Sequence, residues 1–233
     1  MKIRSIVLDI DGVIKPRDRG VDKKTIDTIV QMQRKHRVIF ASGKSIEYMR
    51  GGLSFTDLLT PYTILIGETG GVIYFNGERK TLYSTLYVED LDFLEDQLDY
   101  KGVDFFKEDK TTCLTIFSQT LSLEQLYKEC KTIIDKENLN LYIVKHHDCI
   151  DVLQRGVDKG EALEMLEELD YLNLDETAAI GDGPNDVSML RKVALPLCPL
   201  NSIPDVKKLC KHVAPYTYGE ALEYLMEVIE SKQ

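Results

Sequence analysis

Residues 3–12 read IRSIVLDIDG, and this stretch decides the fold. Ile3 to Leu8 is short, rich in β-branched residues, and closed by Asp9, Asp11 and Gly12. That pattern predicts a strand buried on both faces, as in a sheet with helices packed on either side. Working outward, a polar loop with Pro16 leads to a helix from about Asp22 to Lys35, with Ile26, Ile29 and Val30 on one face. Val38 to Ala41 is a second buried strand, closed by Ser42-Gly43. A further helix begins near Ser45 and is weakened or ended by Gly51-Gly52, and Tyr62 to Ile66 is a third strand. Strand and helix alternating in this way predict an α/β fold: a Rossmann-like, doubly wound parallel sheet.

The texture changes after Gly70-Gly71. Val72 to Phe75 reads as a strand, and Asn76-Gly77 is a turn signal. Helices are predicted from about Glu89 to Tyr100 and from Ser122 to Lys136. Strands are predicted at Thr111 to Ser118, Leu141 to Val144 and Cys149 to Leu153. The first texture returns at Gly156. A helix from about Gly160 to Tyr171, a strand from Thr177 to Ile180 and a turn opening a helix at Gly181-Asp182-Gly183-Pro184-Asn185-Asp186 follow. Strands near Ala194 to Leu197 and His212 to Ala214, then a helix from Gly219 to Glu230, finish the chain. The expected organisation is a discontinuous core, residues 1–75 and 156–233, with a smaller α/β cap domain, 76–155, inserted between its halves.

Composition excludes several classes of function. The 233 residues carry 29 Lys+Arg against 39 Asp+Glu, a formal charge of −10, with 43% hydrophobic residues. This balance is that of a folded globular chain. No basic stripe suits nucleic acid, and no apolar run approaches the ~20 residues that cross a bilayer. Asp9 and Asp11 interrupt the N-terminal apolar run too early for a signal peptide. Cys113, Cys130, Cys149, Cys198 and Cys210 are odd in number and without CxxC spacing, which predicts reduced, mostly buried thiols and a cytoplasmic protein. His146 and His147 are adjacent, so on a strand they point to opposite faces and do not share a metal.

In a parallel α/β sheet, ligands bind beyond the carboxyl ends of the strands. Those ends carry Asp9-Ile10-Asp11-Gly12, Ser42-Gly43-Lys44 and Gly181-Asp182-Gly183-Pro184-Asn185-Asp186, and Lys159-Gly160 opens a helix. Taken singly, each is ordinary punctuation: a turn cap, a helix N-cap, a Pro-Asn turn, a solvated lysine. Taken jointly, they bring several carboxylates, a hydroxyl and an ammonium to one crevice. Carboxylates so crowded raise one another's pKa unless a cation neutralises them, and Mg²⁺ is the hard ion that prefers such oxygens.

In this order and spacing, the four motifs make the chain similar to the haloacid dehalogenase-like phosphohydrolase superfamily. It resembles the subgroup whose α/β cap lies between the second and third motifs, which includes Cof-type phosphatases and archaeal-type phosphoglycolate phosphatases. The resemblance implies that Asp9 is the nucleophile, forming an aspartyl-phosphate, and that Asp11 is the general acid and base. It implies Mg²⁺ held by Asp9, the Asp11 carbonyl and Asp182, with Asp186 completing the site directly or through water. Gly12, Ser42, Gly43 and Lys159 are implied to bind the phosphoryl group, and Asn185 to orient the loop or the phosphate side. Val13 stands where Thr is frequent, Lys44 where Arg or Asn is, and Glu68-Thr69-Gly70-Gly71 replaces the usual hinge, so substrate choice stays open.

The cap is implied to cover the crevice, exclude water and select the leaving group. Tyr74, Phe75, Tyr83 and Tyr87 are candidates to line a pocket, with packing the plainer role. The implied enzyme is a phosphoric monoester hydrolase acting on a small phosphorylated metabolite, as monomer or homodimer, with no nucleic acid or membrane partner. Phosphoglycolate is the nearest assignment by size and layout. A sugar phosphate phosphatase, a sugar phosphomutase on the same fold, and a non-catalytic phosphometabolite sensor are the alternatives.

Overall fold

The computed structural model describes residues 2–16, 18–82 and 86–232, with the backbone alone at 86–88. Its elements begin with β1 (Ser5–Asp9), α1 (Lys23–Lys35), β2 (Arg37–Ala41), α2 (Ile46–Leu53), β3 (Ile64–Gly67), β4 (Val72–Phe75) and β5 (Glu78–Thr81). They continue with α3 (Leu86–Tyr100), β6 (Phe105–Lys107), β7 (Leu114–Ser118), α4 (Leu123–Glu137), β8 (Leu141–Lys145) and β9 (Ile150–Gln154). They end with α5 (Lys159–Glu168), β10 (Thr177–Ile180), α6 (Val187–Lys192), β11 (Leu195–Cys198), α7 (Pro204–Leu209), β12 (His212–Val213) and α8 (Tyr218–Glu230).

The chain divides into Met1–Lys80 with Asp158–Gln233, and Thr81–Val157. The first unit holds an eight-stranded sheet in the order β12-β11-β10-β1-β2-β3-β4-β5. From β12 to β3 all neighbours are parallel, and β4 turns back antiparallel to β3. Every residue of β1 is buried, because helices cover both faces of the sheet. Ile6, Leu8, Phe40, Leu65, Ile180 and Leu197 join Ile29 and Met32 of α1 and Leu222 and Leu225 of α8 in one core. Strand order reverses between β1 and β10, and that is the switch point beside which ligands bind in such sheets.

Several elements differ from their sequence reading. The border to the second unit falls after Lys80 rather than after residue 75. Asn76 and Gly77 both take positive φ, 51° and 81°, so the chain reverses and adds β5 to the first sheet before leaving it. β5 reads Glu-Arg-Lys-Thr, exposed throughout, a charged edge that carries no apolar alternation to betray it. α2 runs through Gly51-Gly52 and stops at Leu53, whose burial holds the last turn. β6 and α7 are too short to leave a periodic signal.

The second unit's described residues form a four-stranded antiparallel sheet, β6-β7-β9-β8. Leu94 and Leu98 of α3 and Leu126, Cys130, Ile133 and Ile134 of α4 pack with Leu114, Ile116, Ile150 and Val152 of the sheet. Ser122 and Gln125 cap α4 reciprocally. Alternation turns Thr115 and Asp151, paired across β7 and β9, away from that core. Both are buried, and the Thr115 hydroxyl donates to Asp151. His146 Nε2 lies 2.9 Å from the other Asp151 oxygen, and Lys110 Nζ 3.9 Å from Asp151 and 2.8 Å from Glu108. Burial alone raises the Asp151 carboxyl, but the His146 hydrogen bond and the Lys110 charge outweigh it and hold the group well below its usual range.

Asp151 therefore contributes stability that is present above the ordinary carboxylate range, about pH 4, and is lost as pH falls toward its folded value. Replacing it by Ala leaves Lys110 buried without that partner, and is expected to cost about 3–5 kcal/mol. Hydrogen exchange of the β7 and β9 amides checks this, with faster exchange expected in D151A at neutral pH and in the wild type only under acid.

Candidate active site

Parallel register brings the functional strand ends together. Asp9 pairs beside Ala41 of β2, and Leu8 beside Ile180 of β10. So Asp9, Ser42 and the Gly181-Asp182 turn leave the sheet side by side at the switch point. α5 starts close by. Its N-cap Asp158 accepts the amides of Gly160 and Glu161, which fixes the first turn and directs Lys159 inward.

Lys159 is 0% exposed. Its ammonium donates to Asp9 Oδ1 at 2.5 Å, to Asp186 Oδ1 at 2.7 Å and to the Ala41 carbonyl at 3.2 Å. Three acceptors match three ammonium hydrogens. Asp186 is also fully buried, and its Oδ2 accepts the amides of Asp182 at 2.8 Å and Gly183 at 2.9 Å. It clamps the turn after β10 onto Lys159. Burial, then Asp186 and Asp182, push the Asp9 carboxyl well above its usual range against the pull of Lys159. Burial works against the Lys159 charge too, but Asp186 and Asp9 more than offset it and hold the amine protonated.

One oxygen from each of Asp9, Asp182 and Asp186 lies within 4.8 Å of the others. Three carboxylates against one buried ammonium leave an excess of negative charge. A hard divalent cation with oxygen ligands relieves it, so the donor set fits Mg²⁺. Asp186 already takes three hydrogen bonds, which leaves its own oxygens little capacity to turn toward an ion.

Two glycines permit this crowding. Gly12 has φ +105°, and a Cβ there would lie 2.2 Å from Asp182 Oδ2. Gly70 has φ +108°, and its Cβ would lie 2.2 Å from the Asp158 carbonyl, just before Lys159. Glu68 and Thr69 precede it with φ of 52° and 58°. Glu68, Thr69 and Gly70 of the hinge thus form a left-handed turn that buttresses the start of α5. Lys44 places its ammonium 5.7 Å from the centre of the Tyr48 ring.

The remaining sequence-predicted residues sit at the same edge in different postures. Ser42 is buried; its amide donates to Ile66 and its carbonyl accepts from Thr69, with Gly43 half-buried after it. The Asp11 side chain stands apart from the carboxylate cluster and pairs with Lys15 at 2.6 Å. Asn185 is half-buried, with its Oδ1 folded back toward Gly183. Sequence reasoning passed over Lys15, whose only signal is its spacing of four from Asp11. It also passed over Asn201, which donates to the Gly12 carbonyl at 2.8 Å from a loop with no motif. Of the aromatics, Phe75 packs on Tyr171 at 4.8 Å and Arg50 stacks on Tyr74 at 4.7 Å. Tyr74 lines a surface cavity of about 590 Å³ with Arg50 and Tyr62, formed by none of the carboxylates. Tyr83 and the Tyr87 side chain lie outside the described residues.

A family model described as haloacid dehalogenase-like hydrolase matches residues 6–113 and 93–226. The chain is 26% identical over 243 residues to the phosphoglycolate phosphatase of Thermoplasma acidophilum, covering 98% of this chain and 99% of that one. It is 24% identical over 232 residues to the phosphoglycolate phosphatase of Methanospirillum hungatei, covering 97% and 96%. Among solved structures, Thermoplasma acidophilum 0175 superposes with a TM-score of 0.82 at 24% identity over 99% of both chains. The sucrose-phosphatase of Synechocystis shares the fold, with a TM-score of 0.78 at 14% identity over 99% of both chains.

Gly12→Ala is expected to drive the β1 loop off the Asp182 carboxylate and to destabilise by about 1–3 kcal/mol, the usual cost of overpacking. Thermal unfolding checks the stability, and a crystal structure of the variant should show the Asp182 turn displaced.

Proposed function

The chain belongs to the haloacid dehalogenase-like hydrolase family, and from that premise we propose that it is a Mg²⁺-dependent phosphatase acting through a phosphorylated Asp9. The substrate is a small-molecule phosphomonoester, with phosphoglycolate first among candidates because full-length relatives carry that name. One observation carries the reading. Lys159 is buried between Asp9 and Asp186 at the switch point of the sheet. A buried ammonium held there offers an anionic group a fixed positive partner and fixes the orientation of the Asp9 carboxylate.

Each residue then has a task. A carboxylate oxygen of Asp9 attacks phosphorus in line; the Asp9–phosphorus bond forms as the bond to the leaving oxygen breaks. Asp11 turns from Lys15 and gives its proton to that departing oxygen. It next takes a proton from water, whose oxygen attacks phosphorus and releases Asp9 and inorganic phosphate. Lys159 turns one hydrogen from a present acceptor to the phosphoryl group, and with it the Ser42 hydroxyl and the Gly12 and Gly43 amides hold the phosphoryl oxygens as charge builds on them. Asp186 keeps Lys159 and the Asp182 turn in place, and Asn185 orients that turn. Asp9, Asp182 and the Asp11 carbonyl, with Asp186 directly or through water, would hold Mg²⁺, which when bound would supply neutralisation of the charge that keeps a carboxylate and a phosphate apart.

The second unit is the part we assign to leaving-group selection. The structure has five cysteines and no disulfide among its described residues, which suits a reducing, cytoplasmic setting. Among the described residues no helix is long and apolar enough to cross a membrane.

Phosphate release from a panel of phosphoglycolate, sugar phosphates and an aryl phosphate tests the reading. Turnover is expected with Mg²⁺ and not with EDTA. Asp9→Asn should lower kcat by roughly 10³-fold or more while keeping the fold. Asp182→Ala should chiefly raise the Mg²⁺ concentration needed for half-maximal rate. Metal-dependent turnover surviving in Asp9→Asn sinks the proposed nucleophile.

A further inference from the structure

The segment after β11 touches both loops that bear the site's carboxylates, although no motif marks it. Asn201 Nδ2 donates to the Gly12 carbonyl at 2.8 Å, and Asn201 Oδ1 accepts from the Tyr218 amide at 3.0 Å. Two residues on, the Ile203 amide donates to the Asp182 carbonyl at 3.1 Å. The buried Ser202 hydroxyl lies 2.9 Å from the Pro199 carbonyl and 3.4 Å from the Gly181 carbonyl. The Leu200 amide donates to the Tyr216 carbonyl at 2.8 Å. Residues 199–203 therefore strap the β1 loop to the β10 turn, and both to the chain entering α8.

The Asn201 amide has one possible orientation. A carbonyl only accepts and a backbone amide only donates, so its nitrogen must face Gly12 and its oxygen Tyr218. Gly12 is also where any added Cβ would collide with the Asp182 carboxylate. A shift of the Gly12 peptide therefore moves the Asp11 main chain on one side and changes the room left for Asp182 on the other.

We propose that Asn201 is a positioning residue that pins the Gly12 turn against the Asp182 loop and so sets the spacing of the metal-binding oxygens. The inference rests on the metal-dependent reading above. The Asn201 side chain spends its amide on Gly12 and Tyr218, and so acts through Gly12. Partners that orient metal ligands from outside the coordination sphere typically change metal affinity by about 10–100-fold when removed.

Two variants separate its two bonds. Asn201→Ala loses both. Asn201→Asp keeps the acceptor for Tyr218 and replaces the donor to Gly12 with an oxygen that repels the carbonyl. Mn²⁺ binding, read by electron paramagnetic resonance of free Mn²⁺ during titration, reports the site without turnover. Both variants are expected to raise the Mn²⁺ dissociation constant by about 10-fold or more. With saturating metal, KM for the best phosphomonoester should move less than about 2-fold while kcat falls, since the displaced Gly12 amide is assigned to the phosphoryl oxygens as charge builds on them in the transition state. If the bond to Tyr218 alone matters, N201D binds Mn²⁺ like the wild type, and the proposal is overturned. It is equally overturned if both variants lose thermal stability but keep wild-type Mn²⁺ affinity. A wild type that binds no Mn²⁺ overturns the metal-dependent reading itself, together with this inference. A wild type that binds and turns over beside variants that bind as tightly overturns the inference alone.

Discussion

A lysine ammonium with no exposure to water is the constraint on which the site depends. Left unpaired, such a charge costs several kcal/mol. Lys159 is retained because Asp9, Asp186 and the Ala41 carbonyl all accept from it. Those acceptors come from β1, β2 and the turn after β10, so one side chain ties together three strand ends and the start of α5. The two glycine contacts follow from the same crowding. Gly70 lets the turn after β3 press on the backbone before Lys159, and Gly12 lets the β1 loop meet Asp182.

The ion pair also explains how a divided chain makes a single site. Asp9 and Lys159 are 150 residues apart in sequence, with the whole second unit between them. The entropy of closing so long a loop grows only slowly with its length, and the inserted unit has its own apolar core and its own buried polar network. The insertion leaves and rejoins the first unit between β5 and α5. The helix that must deliver Lys159 therefore begins where the chain returns, and its N-cap Asp158 sets the register of the first turn.

Much of this is legible in the sequence because burial writes itself into residue type. β1 and β10 are covered on both faces, and their apolar runs give them away. Asp9, Ser42, Lys159 and Asp182 are legible because they stand at strand ends or a helix start in a fixed order. β5 is hidden because an exposed edge strand of Glu, Arg, Lys and Thr has no apolar face to alternate. α2 outlasts Gly51-Gly52 because Leu53 is buried, a tertiary contact that local propensity does not contain. Asn201 is hidden for another reason. Both its partners are backbone groups, which carry no residue identity, and one of them is 189 positions away.

The stereochemical course at phosphorus tests the central claim most directly. A phosphorothioate analogue of a panel substrate, made chiral at phosphorus with two oxygen isotopes, is hydrolysed in water carrying the third, and the configuration of the product thiophosphate is analysed. Attack by Asp9 followed by attack of water makes two in-line displacements, so the account predicts net retention. Net inversion would mean that water attacks the substrate directly, and would contradict Asp9 as the nucleophile that Lys159 is there to hold.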